Sequence, residues 1–261
     1  MTSYPEHSRV VILGSGTCVP SLRRSACAVM VTCKESRVLF DVGPGTTRRL
    51  LEAGGNIFDV THVFISHFHP DHTGELVPFL FATKYPGSGR RKIPLCIIGG
   101  PGFLDFYDGL KAVYGDWMDL GPDTLDIREI SPDLQNKLKF KDFQVDIAPV
   151  SHRPESLAFK LTTPADTAMV YSGDTQYTDS LVNLSEGANL LICESAMPDE
   201  MAVPGHMTPS QAGKTATRAK VSRLVLTHLY PECDAVDIAK QCRSTYKGPL
   251  IIAEDLMEIV L

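Results

Sequence analysis

Short apolar runs recur from one end of the chain to the other, separated by Gly/Pro/Ser/Asp clusters or by stretches whose apolar residues fall three and four apart. Residues 10–13, 28–32 and 38–40 read as strands, and 46–52 as a helix halted by Gly54-Gly55. Val63-Phe64-Ile65 is a further buried strand, entered through Thr61 and His62, with a helix over 76–83 and a strand over 95–98 behind it. Between 102 and 114, Phe103, Phe106, Leu110 and Val113 keep a helical spacing. Strands return at 125–130, 143–148, 157–161 and 168–171. Strands at 190–193, 223–227 and 250–252 then alternate with helices at 209–219 and 236–246. Thr208-Pro209 is a strong helix start, a hydroxyl cap followed by Pro in the first turn.

Alternation of this kind predicts an α/β protein, and 261 residues with 43% hydrophobic and 21% charged content suit a single domain over 1–261 with a sizeable core. No internal repeat or linker divides the chain. No apolar run approaches the roughly 18–20 residues that span a bilayer, so no membrane partner is expected. The first nine residues are polar and lack the apolar core of an export signal. Seven Cys, an odd number without a Cys-x-x-Cys pair, suit reduced thiols better than a disulfide framework, and the expected compartment is the cytoplasm. The net charge of −6 leaves Arg23-Arg24, Arg90-Arg91-Lys92 and the Lys214/Arg218/Lys220/Arg223 set as the local basic clusters. A compact phosphate ester fits that balance better than a large polyanion.

The chemistry is concentrated in Ser66-His67-Phe68-His69-Pro70-Asp71-His72, directly after Val63-Phe64-Ile65. Four metal-binding side chains within six residues, on a turn leaving a buried strand, are not needed for packing. Neutral imidazoles suit zinc, and the adjoining carboxylate supplies charge and a proton acceptor. His152, Asp174 and His228 each follow a short apolar run, where a strand emerges and a side chain can reach a cleft. Together these residues predict a metal site, with enough ligands for two ions.

The order His-x-His-x-Asp-His, then His, then Ser172-Gly173-Asp174-Thr175, then Leu226-Thr227-His228 resembles the metallo-β-lactamase superfamily of binuclear metallohydrolases. The resemblance runs from Val11-Ile12-Leu13-Gly14-Ser15-Gly16-Thr17 and Phe40-Asp41-Val42-Gly43 to His228. It is nearest to the ribonuclease Z branch through Leu190-Leu191-Ile192-Cys193-Glu194 and Gly205-His206-Met207-Thr208. It implies an αββα four-layer sandwich, two mixed β-sheets flanked by helices. It further implies two Zn2+ ions, with Mn2+ or Fe2+ as alternatives. His67, His69 and His152 would hold one ion, Asp71, His72 and His228 the other, and Asp174 would bridge them.

A hydroxide between the ions would then attack a phosphodiester, an RNA 3′ end or a smaller substrate, because metal binding brings the pKa of water to about 7. In the same pattern Asp71 doubles as proton acceptor, His206 as proton donor or oxyanion stabiliser, and Glu194 orients His206. Arg24, in Pro20-Ser21-Leu22-Arg23-Arg24-Ser25, is placed either at a substrate phosphate or in water as a loop Arg, with Ser25 where the family's Pro-x-x-x-Arg-Asn loop has Asn. A homodimer is among the expected partners.

The pattern departs from the branch in one respect. The arm with which ribonuclease Z grips tRNA lies between the third ligand His and the bridging Asp, and here only 21 residues separate His152 from Asp174. That leaves room for two strands and a turn, and puts pre-tRNA in doubt as the substrate. Alternatives are a thioesterase, lactonase or sulfatase of the same fold, or a di-iron redox scaffold. The last would have Glu at position 69, and His69 argues against it. Gly14-Ser15-Gly16 lacks the third Gly of a dinucleotide fingerprint, since Val19 stands there. His62 is expected to be structural, and Phe103, Phe106, Tyr107, Tyr114 and Trp117 to form core or pocket wall.

Overall fold

The structure is a computed structural model, and it describes residues 8–84 and 91–261. Arg90 and the polar residues before Ser8 lie outside the described residues. Six strands come first: β1 (Arg9–Gly14), β2 (Ala28–Cys33), β3 (Ser36–Phe40), β4 (His62–Phe64), β5 (Leu95–Gly99) and β6 (Leu125–Glu129). The second sheet follows as β7 (Lys137–Lys139), β8 (Gln144–Pro149), β9 (Leu157–Thr162), β10 (Ala168–Tyr171), β11 (Leu190–Glu194), β12 (Leu224–Thr227) and β13 (Leu250–Ile252). A last strand, β14 (Glu258–Val260), returns to pair with β1. The helices are α1 (Thr46–Glu52), α2 (Pro70–Thr73), α3 (Leu76–Lys84), α4 (Phe103–Tyr114), α5 (Asp179–Leu184), α6 (Pro209–Arg218) and α7 (Ile238–Arg243).

Each sheet has seven strands, in the orders β14-β1-β2-β3-β4-β5-β6 and β13-β12-β11-β10-β9-β8-β7. Each is mixed in the same way. β1, β2, β3 and β14 pair antiparallel while β3 to β6 run parallel. β7 to β10 pair antiparallel while β10 to β13 run parallel.

Strand periodicity sorts the side chains into layers. Val10 and Ile12 of β1 point into the core between the sheets, with Phe40, Phe64, Phe159, Tyr171, Ile192 and Val225. Val11 and Leu13 point outward to Leu50 of α1, Leu76 and Phe79 of α3, and Phe103 of α4. On the far side, Val170, Leu191 and Leu224 meet α5, α6 and α7 through Leu181, Ala212, Ala216 and Cys242. Helix, sheet, sheet, helix is the expected four-layer sandwich.

The departures from the predicted elements are local. α5, β7 and β14 were not predicted, and the turn holding the His-rich motif is in part a helix, α2, with Pro70 in its first turn. The helix expected over 236–246 is shorter: a 3-10 turn (Pro231–Ala235) precedes it, and Asp237 caps α7 by accepting from the Lys240 amide. All seven cysteines are free, six of them buried. No described helix is long and apolar enough to cross a membrane.

Candidate metal centre

The C-terminal ends of the parallel strands converge on one edge of the sandwich. β4 leads through Ile65 into the His-rich loop, β10 into Asp174, β11 ends in Glu194 and β12 leads into His228. His152 arrives just beyond β8, held by a bridge between Ser151 and Gln176. His67 and His228, 161 positions apart in sequence, thus meet around Asp174, which is 3% exposed.

The two carboxylate oxygens of Asp174 face different imidazoles. Oδ2 lies 3.7 Å from His67 Nε2 and 3.9 Å from His152 Nε2. Oδ1 lies 3.2 Å from His72 Nε2 and 3.3 Å from His228 Nε2. His69 Nδ1 is 3.0 Å from His67 Nε2 and 3.1 Å from His152 Nε2. Ligand atoms around a tetrahedral zinc, with Zn–N bonds of about 2.0–2.1 Å, sit about 3.3 Å apart. The spacings among His67, His69, His152 and Asp174 run from 3.0 to 3.9 Å and bracket that value, so one cation fits between the four. Asp71 stands further out, its Oδ2 3.5 Å from His228 Nε2 and 3.9 Å from His72 Nε2.

The donor set fits a metal on a second ground. His72 Nε2, Asp174 Oδ1 and both ring nitrogens of His228 are buried without a hydrogen-bond partner. Polar atoms so placed are costly unless something satisfies them, and a cation between the imidazoles and the carboxylate would. The electrostatics agree. Burial, reinforced by the neighbouring His72, lowers His67 to about 2, and burial also lowers His152. Burial would lower His72 as well, but the Asp174 and Asp41 carboxylates hold it well above the ordinary imidazole value. Burial works to raise Asp174 and Asp71, yet His228 and His72 outweigh it, keeping Asp174 well below the carboxylate range and Asp71 at about 2. The pocket favours neutral His67 and His152, ionised Asp71 and Asp174, and positive charge beside the carboxylates.

Outside this ring, a fully buried Asp41 follows β3 with a left-handed backbone, φ 59°. It accepts from the Ser66 amide and hydroxyl, from His72 Nδ1 and from the Tyr171 hydroxyl, each at 2.7 Å. The Ser66 hydroxyl in turn accepts from His67 Nδ1 at 3.1 Å. His152 Nδ1 donates to the Gly205 carbonyl at 2.9 Å. Cys27, whose thiol lies within ligand reach of His72 and His228, was also missed from sequence. Asp41 was visible only as part of a motif, and nothing in the sequence marks Tyr171, because its partner is 130 positions away.

Glu194 and His206 are brought together. Glu194, 1% exposed, accepts from His206 Nδ1 at 3.1 Å and from the amides of Thr175 and Met207. Burial raises the Glu194 carboxyl. Burial works to lower His206, but the bond to Glu194 leaves it above the usual imidazole value. His206 Nδ1 is 3.9 Å from Asp174 Oδ2, so the pair borders the metal-ligand cluster.

Arg24 corrects an expectation. It is not a loop residue in water: its guanidinium is buried, donating from Nη1 to the Ser15 hydroxyl and the Ala253 carbonyl and pairing through Nη2 with Asp234. His62 packs edge-on against Phe140 and Phe143 at the opposite ends of the strands from the metal-ligand cluster. Phe103 and Tyr107 are core, while Phe106, Tyr114 and Trp117 wall an apolar cavity of about 700 Å³ with Phe68 and Phe81.

Comparison with known proteins places this arrangement. Residues 36–229 match the family model of the β-lactamase superfamily domain. A ribonuclease Z of Methanosarcina acetivorans is 28% identical over 303 aligned positions, covering 96% of this chain and 97% of the relative. The structure of the short form of human tRNase Z superposes with a TM-score of 0.77 at 26% identity, over 96% of this chain and 98% of that one. The metallo-β-lactamase fold protein YhfI from Bacillus subtilis gives a TM-score of 0.82 at 23% identity, over 97% and 99% of the two chains, which shows the shared fold.

Proposed function

The chain belongs to the β-lactamase superfamily and has the metallo-β-lactamase fold, and from that premise we propose that it is a dinuclear zinc phosphodiesterase of ribonuclease Z type. His67, His69 and His152 would hold one ion, His72, His228 and Asp71 the other, and Asp174 would join them. Bound zinc supplies Lewis acidity and a water acidic enough to ionise near neutral pH.

The protein's own groups do the rest. Asp71, kept ionised by His228 and His72, accepts the proton of the attacking water at Oδ2. His206, kept protonated by Glu194 at Nδ1, donates from Nε2 to the leaving oxygen or to a charged phosphoryl oxygen. Arg24 enters as a group that fixes its loop. Residues 1–261 are read as one domain, because a single core cluster draws side chains from both sheets.

The observation that carries the reading is the Glu194–His206 pair beside Asp174, in a chain similar to ribonuclease Z over nearly its whole length. A carboxylate-held imidazole at this point serves a departing alkoxide.

Elemental analysis of zinc-saturated protein should give two ions per chain, and His69→Ala should lose one of them with the fold intact. The loaded protein should turn over a bis-aryl phosphate faster than a thioester, a lactone or a sulfate ester. One ion or fewer, or a preference for a carbon or sulfate ester, would overturn the proposal.

A further inference from the structure

We infer that the Tyr171 hydroxyl is a positioning group for both halves of the metal centre, acting through Asp41 from the opposite sheet; the inference rests on the metal-centre reading above. Tyr171 ends β10 in the second sheet, Asp41 follows β3 in the first, and the phenol spans the interior between them with an O–H donated to Oδ2 at 2.7 Å. Both residues are buried, at 1% and 0% exposure, so water cannot replace that donor.

Asp41 acts as a hub. It fixes His72 directly through Nδ1, which leaves Nε2 aimed at Asp174 Oδ1. It fixes His67 at one remove: Ser66 gives its single hydroxyl hydrogen to Asp41, so its oxygen takes the Nδ1 hydrogen of His67, and His67 Nε2 is left facing Asp174 Oδ2. One carboxylate thereby sets the tautomer and ring plane of one imidazole on each side of the bridging Asp174.

Three of the four donors to Asp41 come from the His-rich loop itself, two from Ser66 and one from His72. Tyr171 does not. It stands three residues before Asp174 on the same strand exit. The phenol therefore ties the loop carrying His67 and His72 to the strand carrying the carboxylate they face, and sets the distance between the two ligand groups. Without it, the buried Oδ2 loses a donor and the loop loses its side-chain tie to β10, leaving the Leu157 amide on the Ser66 carbonyl, while the ring's packing on Phe40 remains available.

The test uses the full chain as wild type, Tyr171→Phe and Phe159→Leu. The last thins the same core, where Phe159 touches Phe40 and Phe64 and stands opposite Tyr171 on the paired strand, but leaves every hydrogen bond of the hub in place. Zinc affinity is read by competition with a chromophoric chelator, the cobalt-substituted absorption spectrum reports ligand geometry, and Tm reports stability. Tyr171→Phe should weaken binding at both sites by about 10–100-fold, the usual scale for outer partners of ligands, and alter the cobalt bands, while Phe159→Leu keeps wild-type affinity and spectrum. Wild-type affinity in Tyr171→Phe, or a loss no greater than that of a Phe159→Leu protein with an equal fall in Tm, would overturn the inference alone. A wild type that holds no divalent ion would overturn the metal-centre reading and the inference with it.

Discussion

His206 borders the proposed metal ligands but is tied to Glu194, which also anchors the amides of Thr175 and Met207. His206→Ala should therefore keep both ions and lower kcat by about 10² or more, and Glu194→Ala should add less than its own separate loss when combined with it, because the two act as a unit. Full activity in His206→Ala, with metal content measured alongside, would remove it from the mechanism. A second residue gives a pH dependence away from the metal-ligand cluster. Burial, with the charge of Arg128 adding to it, lowers His62 to about 4, against about 6.5 in an unfolded chain. The unfolded state then takes up the proton first, so the stability His62 contributes is complete above about pH 6.5 and is lost as pH falls toward 4. Chelator-treated wild type should lose more Tm over that window than His62→Gln, and parallel curves would refute the assignment. The sequence displayed the His and Asp residues that gather around Asp174, and the Glu194–His206 pair, because each follows a short apolar run or sits in a local motif. It concealed the bonds of Asp41 to Ser66 and Tyr171, since those partners stand 25 and 130 positions away.

At the scale of elements, period and punctuation foresaw the strands whose faces are both buried and the helices with a clear apolar face. The missed strands are three residues long, and Lys137–Lys139 and Glu258–Val260 each bury one side chain, too few to make a pattern. α5 has six residues and begins at a Thr178 side chain accepting from the Leu181 amide, a cap that gains meaning only once the strand before it is placed. The segment after β1 shows the converse, a loop held as firmly as an element. Asp255 accepts from the amides of Ser15 and Ser25 and pairs with Arg49, while Arg24 joins Ser15, Ala253 and Asp234. Arg24→Ala should thus cost about 2–4 kcal/mol in urea unfolding, the scale for charged hydrogen bonds lost from a buried group, whereas the exposed Arg23→Ala should cost under about 0.5 kcal/mol. Equal small losses would return Arg24 to the solvent-facing place first expected of it, free to meet a substrate phosphate.

For the whole molecule, the question is what the metal-bearing edge can hold. Between His152 and Asp174 the chain forms β9 and β10, paired antiparallel from Ala168↔Thr162 to Tyr171↔Phe159, and the turn between them is closed by Thr163 and Thr167. Nothing in that interval projects from the sandwich, so the arm that the ribonuclease Z resemblance implies at this point is absent. An alignment of 303 positions that takes in 96% of a 261-residue chain also leaves positions that the Methanosarcina relative alone fills. Remote contacts supply the binding energy that positions a large substrate for reaction, and a net charge of −6 offers little counterion release to replace it. If the proposed phosphodiesterase is correct, the ratio of kcat/KM for a bis-aryl phosphate to that for pre-tRNA should far exceed the ratio measured for an arm-bearing ribonuclease Z under the same salt. Raising the salt should change the pre-tRNA rate little, because few phosphates are contacted. A homodimer that brought a partner's basic surface to this edge would give the opposite pair of results, fast pre-tRNA cleavage and a steep salt dependence, and sedimentation of the same sample would identify it. Those two results in a protein that sediments as a monomer would mean that the bare edge of the sandwich grips RNA without the arm.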